Sequence, residues 1–311
     1  MSALICGSYA FDTIMVFDGR FRDHILPDQV HMLNVAFLVP ALRREFGGTA
    51  GNMAYNLKLL GGDGAPMATV GGDFDRYWEW IRKNGIREDF IRQVNEEYTA
   101  QAYITTDKDD NQITAFHPGA MNESHTQKVP TDAGISMGVV APDGRDGMIQ
   151  HAKQFADAGI PFMFDPGQGL PMFDGDDLKQ FIDQATWVAV NSYESELMQE
   201  RTGWSEDEIA QRVEALIVTH GGEGSVIRAN GETHEVEPVK PEAVNDPTGC
   251  GDAYRAGLIY GIMNEMDWVT TGRIASLMGS IKVAYNGTQN HRFDAEQFRA
   301  RFRDEFGYSI D

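Results

Sequence analysis

The chain has 311 residues, 42% of them apolar and 10% aromatic, a composition that supports a packed globular protein and excludes wholesale disorder. Its 26 Lys and Arg stand against 47 Asp and Glu, a net charge of −21. That balance argues against nucleic acid as a partner, since phosphate backbones are bound by clustered positive charge. No apolar run approaches the roughly 20 residues of a bilayer-spanning helix, so no membrane partner is expected either.

The start, Met1-Ser-Ala-Leu-Ile-Cys-Gly7, has no basic leader and runs straight into a predicted strand, so no signal peptide is expected. Two distant cysteines, Cys6 and Cys250, show no pairing pattern and fit a reducing cytoplasm. Six apolar runs read as buried strands: Leu4–Cys6, Met67–Val70, Gly138–Val140, Pro161–Phe164, Trp187–Val190 and Leu216–Val218. They are continuous rather than alternating, as parallel strands covered on both faces require. Between them lie helical patterns. Met53, Leu57 and Leu60 share one face and stop at Gly61-Gly62, and Ser205-Glu-Asp-Glu208 is a capping box opening a helix through Val213. Phe298, Phe302 and Phe306 read as the core face of a final helix. The alternation predicts a doubly wound α/β sheet.

Two stretches depart from this rhythm. Residues 12–46 and about 98–118 contain alternating segments, such as Ala100-Gln-Ala-Tyr-Ile-Thr-Thr106 and Gln112-Ile-Thr-Ala-Phe116, with a turn at Lys108–Asn111. Alternation suggests antiparallel strands with one wet face, hence a small sheet forming a lid on a single domain of residues 1–311.

Polar or glycine-rich turns follow the strands: Gly7-Ser8 with Asp12 beyond, Gly71-Gly72-Asp73, Asp165-Pro-Gly-Gln168, Asn191 with Glu194, and Thr219 with Gly221-Gly222. In open parallel sheets ligands bind at the carboxyl edge, so these turns are expected to converge on one crevice. The densest signal is Asn245-Asp-Pro-Thr-Gly-Cys-Gly-Asp252, where Gly249-Cys250-Gly251 precedes a helix starting near Asp252. Unpaired amides at a helix start form an anion site, and glycines allow close approach. An Asp at the first helical position suits either a helix cap or a base beside a transferring phosphoryl group, and spacing alone leaves both open. The Walker A pattern is absent, the first strand lacks G-x-G-x-x-G, and the eight histidines show no zinc spacing. His117 and His220 read as loop-lining side chains.

The Asp246–Asp252 segment resembles D-[TP]-x-G-x-G-D, a signature of the ribokinase-like (PfkB) sugar and nucleoside kinases. Three further segments are similar to that family's signatures, in order and spacing: Gly47-Gly48-Thr-Ala-Gly-Asn52, Asn191-Ser-Tyr-Glu194 and Thr219-His-Gly-Gly-Glu-Gly224. Phe17–Phe21, Leu26–His31, Phe37–Val39, Phe116 with Pro118–Met121, and Arg255 look most like the bacterial adenosine kinases within it. The resemblance implies a mostly parallel sheet flanked by helices with a small β-sheet lid, and transfer of phosphate from ATP to the 5′-hydroxyl of adenosine. Asp252 would be the general base, and the amides of Gly249, Cys250 and Gly251 the anion hole. Asp12, Gly48 and Asn52 would hold the ribose diol. Ser8 and Gln168 would reach the base, and Phe116 would stack on it. Asn191 and Glu194 would order Mg²⁺ through water, while Thr219, Gly221 and Gly224 would line the ATP pocket. The resemblance also suggests a K⁺ site at the loop near Asp246 and the segment Asn286-Gly-Thr288, and a homodimer through the lid. Ala102, with Tyr103 adjacent, stands where relatives of this type carry an aromatic, which keeps another nucleoside or a free sugar open as acceptor. A nucleoside-binding module without chemistry is the non-enzyme alternative. Cys250 reads as a small filler; alternatively the helix start lowers its thiol pKa and exposes it to thiol reagents, with ATP protecting.

Overall fold

The computed structural model describes residues 2–25, 35–109 and 111–310. The Leu26–His31 segment and Asp110 in the expected lid turn lie outside the described residues.

The elements follow in chain order: β1 (Ser2–Cys6), β2 (Ala10–Val16), β3 (Ala41–Gly47), α1 (Thr49–Leu59), β4 (Gly64–Gly71), α2 (Asp75–Lys83), β5 (Phe90–Val94), β6 (Ala100–Thr106) and β7 (Gln112–His117). Next come β8 (Ile135–Val140), α3 (Arg145–Ala158), β9 (Phe162–Phe164), α4 (Gly175–Gln184), β10 (Trp187–Asn191), α5 (Ser192–Thr202), α6 (Glu206–Ala210) and β11 (Ala215–Thr219). The hairpin β12 (Ser225–Ala229) and β13 (Glu232–Val236) precedes α7 (Cys250–Met263), α8 (Trp268–Val283) and α9 (Ala295–Phe306). Among the described residues nine strands form one sheet in the order β13-β12-β11-β10-β9-β8-β1-β4-β5, parallel except at the β11-β12-β13 end.

All six predicted apolar runs are strands of this sheet, and their continuity has a direct cause. Successive side chains leave opposite faces, and helices cover both. Ile5, Val139 and Ile217 pack with α1, α2, α7 and α8 through Met53, Tyr77, Leu258 and Ala275. Leu4, Val140 and Val218 pack on the other face with α3, α4 and α5 through Phe155, Phe181 and Met198. The missed strands β5, β12 and β13 lie toward the sheet's ends, where charged residues enter the pattern. Their hairpin had left a trace, since Asn230-Gly231 adopts the paired positive φ values of 56° and 78° of a two-residue turn.

The capping box at Ser205 and Glu208 forms, but α6 ends at Ala210 rather than Val213, because the chain must turn to enter β11. Phe298 and Phe302 are core residues of α9.

The two alternating stretches supply a four-stranded sheet ordered β3-β2-β6-β7. β2 pairs antiparallel with β3 and parallel with β6, and β6 pairs antiparallel with β7. The smaller sheet is tied back to the larger one by Asp73. Its carboxylate accepts from the Thr99 amide at 2.7 Å and from Gln101 Nε2 at 3.0 Å, just where β6 begins.

Candidate active site

The centre of the site is the contact between the starts of α1 and α7. α1 begins where the chain turns at Gly48, whose φ is +90°. A Cβ there would lie 2.5 Å from three backbone atoms of Ser8, Tyr9 and Ala10, so only glycine lets α1 start against the β1–β2 turn. Ser8 is buried, and its Oγ accepts from the Thr49 amide at 3.2 Å. One turn into α1, Asn52 is 4% exposed and donates from Nδ2 to Asp252 Oδ2 at 2.7 Å. Asn52 is fixed in turn by Gln289, whose Nε2 donates to Asn52 Oδ1 at 2.9 Å while Trp80 Nε1 donates to Gln289 Oε1 at 2.8 Å.

α7 starts two residues earlier than expected, with Gly249 as its cap at a left-handed φ of +78°. Asp252 therefore sits in the third helical position, not the first. The opening amides of a helix have no preceding helical carbonyl to bind. That of Cys250, however, donates to the Pro247 carbonyl at 3.1 Å, so one of the three amides expected in the anion hole is engaged in the turn. The alternative of a lowered thiol pKa at this position is also corrected: burial pushes the Cys250 pKa up to about 11, with the Asp246 and Asp252 charges adding to it and Lys282 opposing.

The Asp252 carboxyl is raised to about 7, first by burial, with Asp165 and Asp12 adding to it and Asn52 and Arg255 opposing. Asp12 is raised to about 6 by burial and by the charges of Asp246 and Glu45. Its carboxylate lies against the backbone of β3, where a Cβ on Gly47 would come 2.5 Å from Oδ2.

Strand register relates Asp12 to Phe116. Asp12 pairs with Ala102 on β6, and Ala102 pairs with Phe116 on β7. Directly opposed residues share a face, so Asp12, Ala102 and Phe116 stand in one cross-strand row about 10 Å long. Phe116 is 53% exposed at its end. Tyr103, one residue along, is on the opposite face and donates from its hydroxyl to Gln101 at 2.7 Å, so it does not supply a second ring beside Phe116. Gln168 is exposed, in a short turn after β9. Pro142 links that turn to Ser8: a Cβ on Gly167 would come 2.7 Å from the Pro142 ring, and the Ser8 amide donates to the Pro142 carbonyl at 3.2 Å.

Asn191 and Glu194 form a reciprocal cap at the start of α5. Glu194 donates its amide to Asn191 Oδ1 at 2.8 Å and accepts from the Asn191 amide and Nδ2 at 2.9 and 2.8 Å. These are the bonds of a capping box, and they engage both Glu194 carboxylate oxygens. Thr219 pairs with Asn191 across β10 and β11, placing the turn at Gly221 and Gly224 beside it.

Two residues to which sequence reasoning assigned no role, Arg255 and Asp165, join the halves of the site. Arg255, one turn after Asp252, is buried and donates from Nε to Asp165 Oδ1 at 3.2 Å; its Nη2 lies 3.1 Å from the same oxygen and 3.9 Å from Glu194 Oε2. Burial raises the pKa of both carboxyls, and the Arg255 charge opposes that rise. A charged pair at i and i+3 at the head of an apolar helix was the available signal.

A family model described as pfkB family carbohydrate kinase matches residues 12–294. A nucleoside kinase of Methanocaldococcus jannaschii is 32% identical over 260 residues, covering 83% of this chain and 85% of that protein. The structure of Burkholderia thailandensis nucleoside kinase in complex with inosine superimposes with a TM-score of 0.92 at 50% identity, covering 99% of this chain and 100% of that one. The same enzyme in complex with ADP-inosine gives 0.89 at 53% identity, covering 100% of this chain and 98% of that one. On the combined strength of the match, the fold and the four motifs, this chain belongs to the pfkB family of carbohydrate kinases, phosphotransferases acting on a hydroxyl group.

Proposed function

We propose that the protein is an ATP-dependent nucleoside kinase that phosphorylates the 5′-hydroxyl of a purine nucleoside, accepting inosine as well as adenosine. The observation that carries a nucleoside, rather than a bare sugar, is the cross-strand row. Asp12, which suits a vicinal diol, and Phe116, which suits a base, share one face of the small sheet. The M. jannaschii and B. thailandensis relatives, both nucleoside kinases, support the same class. Breadth for the base follows from Ala102, which leaves Phe116 as the single ring of the row, and from Gln168, whose carboxamide both donates and accepts and so pairs with a 6-oxo or a 6-amino group.

In this reading the small sheet is a lid on a single domain, closing the diol end of the site. Asp12, Gly48 and Asn52 hold the ribose, Ser8 and Gln168 meet the base, and Thr219, Gly221 and Gly224 line the ATP side. Asp252 accepts the proton of the 5′-hydroxyl as its oxygen bonds to the γ-phosphorus. The bond from that phosphorus to the β–γ bridging oxygen breaks, and ADP leaves. The amides of Gly249 and Gly251 face the charge on the transferring group. The oxygen-rich donor set of Asn191, Glu194 and Asp165 fits Mg²⁺ held through water, since both Glu194 oxygens already accept from Asn191. Bound there with ATP, that ion would neutralise phosphate charge.

Among the described residues β3 and β7 are the two edges of the small sheet, and we extend the proposal to a homodimer paired through it. Initial rates with ATP on adenosine, inosine, ribose and fructose test the function. Turnover of both nucleosides well above either sugar is expected, and turnover of a free sugar alone would overturn it.

A further inference from the structure

Lys282, in the last turn of α8, is completely buried at 0% exposure. Burying an ammonium is costly unless its protons are bonded. Among the described residues its hydrogen-bond partners are two main-chain carbonyls, Asp246 O at 2.6 Å and Tyr285 O at 3.3 Å. A cation dehydrated by backbone carbonyls is the environment in which proteins hold K⁺. Here the positive charge belongs to the chain itself.

What the ammonium touches is the loop leading into the anion hole. The Asp246 carboxylate accepts from the Thr248 amide at 2.9 Å and from the Gly287 amide at 2.9 Å, with Arg43 Nη2 at 3.4 Å. The amides of Asn245 and Asp246 donate to the Val283 carbonyl at 2.9 and 3.1 Å. Thr288 lies against Gly249, where a Cβ would come 2.9 Å from its methyl group. Lys282 thus ties the end of α8 to a segment only three residues before the cap of α7. The segments expected to hold K⁺ already face the buried Lys282 ammonium, which donates to the Asp246 and Tyr285 carbonyls between them, and a second cation beside that unscreened charge would be repelled, so those segments do not fit K⁺.

We propose that Lys282 is a built-in monovalent cation: its ammonium takes the place of a bound K⁺ and holds the 245–249 loop in the geometry of the anion hole, so that catalysis needs no added monovalent ion. Lys282 is a positioning residue; it acts through Gly249 and Gly251. The inference rests on the kinase reading but not on which acceptor is used.

Rates of the wild type in potassium chloride and in tetramethylammonium chloride at equal ionic strength are expected to agree within about twofold, with adenosine, inosine or ribose as acceptor. Lys282→Met is expected to lower kcat about 100-fold with little change in the KM for ATP, and potassium or ammonium ions are expected to restore about tenfold of that loss. Melting temperature gives a readout that needs no turnover. Potassium should stabilise Lys282→Met over tetramethylammonium and leave the wild type unmoved. Potassium activation or potassium-specific stabilisation of the wild type would overturn the proposal, and so would a folded Lys282→Met enzyme with wild-type kcat. If Lys282→Met does not fold, the two wild-type comparisons still decide. A failed acceptor assay would count against the kinase reading alone, because the melting comparison is independent of it.

Discussion

Asn52 and Asp252, 200 residues apart in sequence, meet at 2.7 Å where α1 and α7 begin, with the carboxamide donating to the carboxylate. That bond favours the ionised form of an Asp whose pKa burial lifts to about 7. A base works deprotonated, so kcat/KM should rise with pH through a midpoint near 7. Asn52→Ala removes a bond opposing the rise, and the acid limb of the profile should move about one unit to higher pH, with a larger nucleoside KM. A pH–rate series on both enzymes checks this; an unmoved limb would separate Asn52 from the ionisation of Asp252.

Asp252→Asn should lower kcat about a thousandfold or more while nucleotide affinity, measured by calorimetry, stays near wild type. It should also stabilise the fold. The folded pKa of Asp252 lies above its ordinary 3.8, so ionising it costs stability as pH rises from 3.8 to about 7, and the full cost is present above that. The variant should therefore melt a few degrees higher than wild type at about pH 8, the gap closing as pH falls towards 3.8. Equal melting points at alkaline pH would argue against a strained carboxylate.

Arg255→Met leaves Asp165 and Glu194 without their buried partner. Such a loss costs about 3–5 kcal/mol, visible in urea unfolding. Adding Asp165→Asn should recover part of it, because the second change removes an uncompensated charge. Additive losses would show that the two side chains do not couple.

Phe116→Ala should raise the KM for nucleosides roughly 5- to 100-fold, the worth of one stacked base, and leave that for ribose nearly unchanged. Steady-state kinetics on the two acceptors separates base stacking from a general role in the small sheet.

Much of this molecule was readable from its residues. Apolar runs such as Trp187–Val190 marked the central strands because both faces of the sheet are covered, and the glycines around Asp252 marked a helix start. The edge strands were less legible, since β13, Glu232–Val236, carries a solvent-facing pattern. The lowered thiol pKa suggested for Cys250 by its place at a helix start fails because burial, invisible in the sequence, raises it. Arg255 had no declared partner until Asp165, 90 residues away, came within 3.1 Å.

By itself, then, the sequence determined the layered α/β architecture, the family and the position of the proposed base, because periodicity, turn chemistry and contiguous motifs are local properties. Only the tertiary structure decided that Asp12 and Phe116 share a face with Ala102 between them, since strand register joins segments about a hundred residues apart. It likewise decided the burial and contacts of Lys282, which in sequence is an ordinary lysine near a helix end. Its meaning depends on where the Asp246 carbonyl lands, and long-range packing alone sets that.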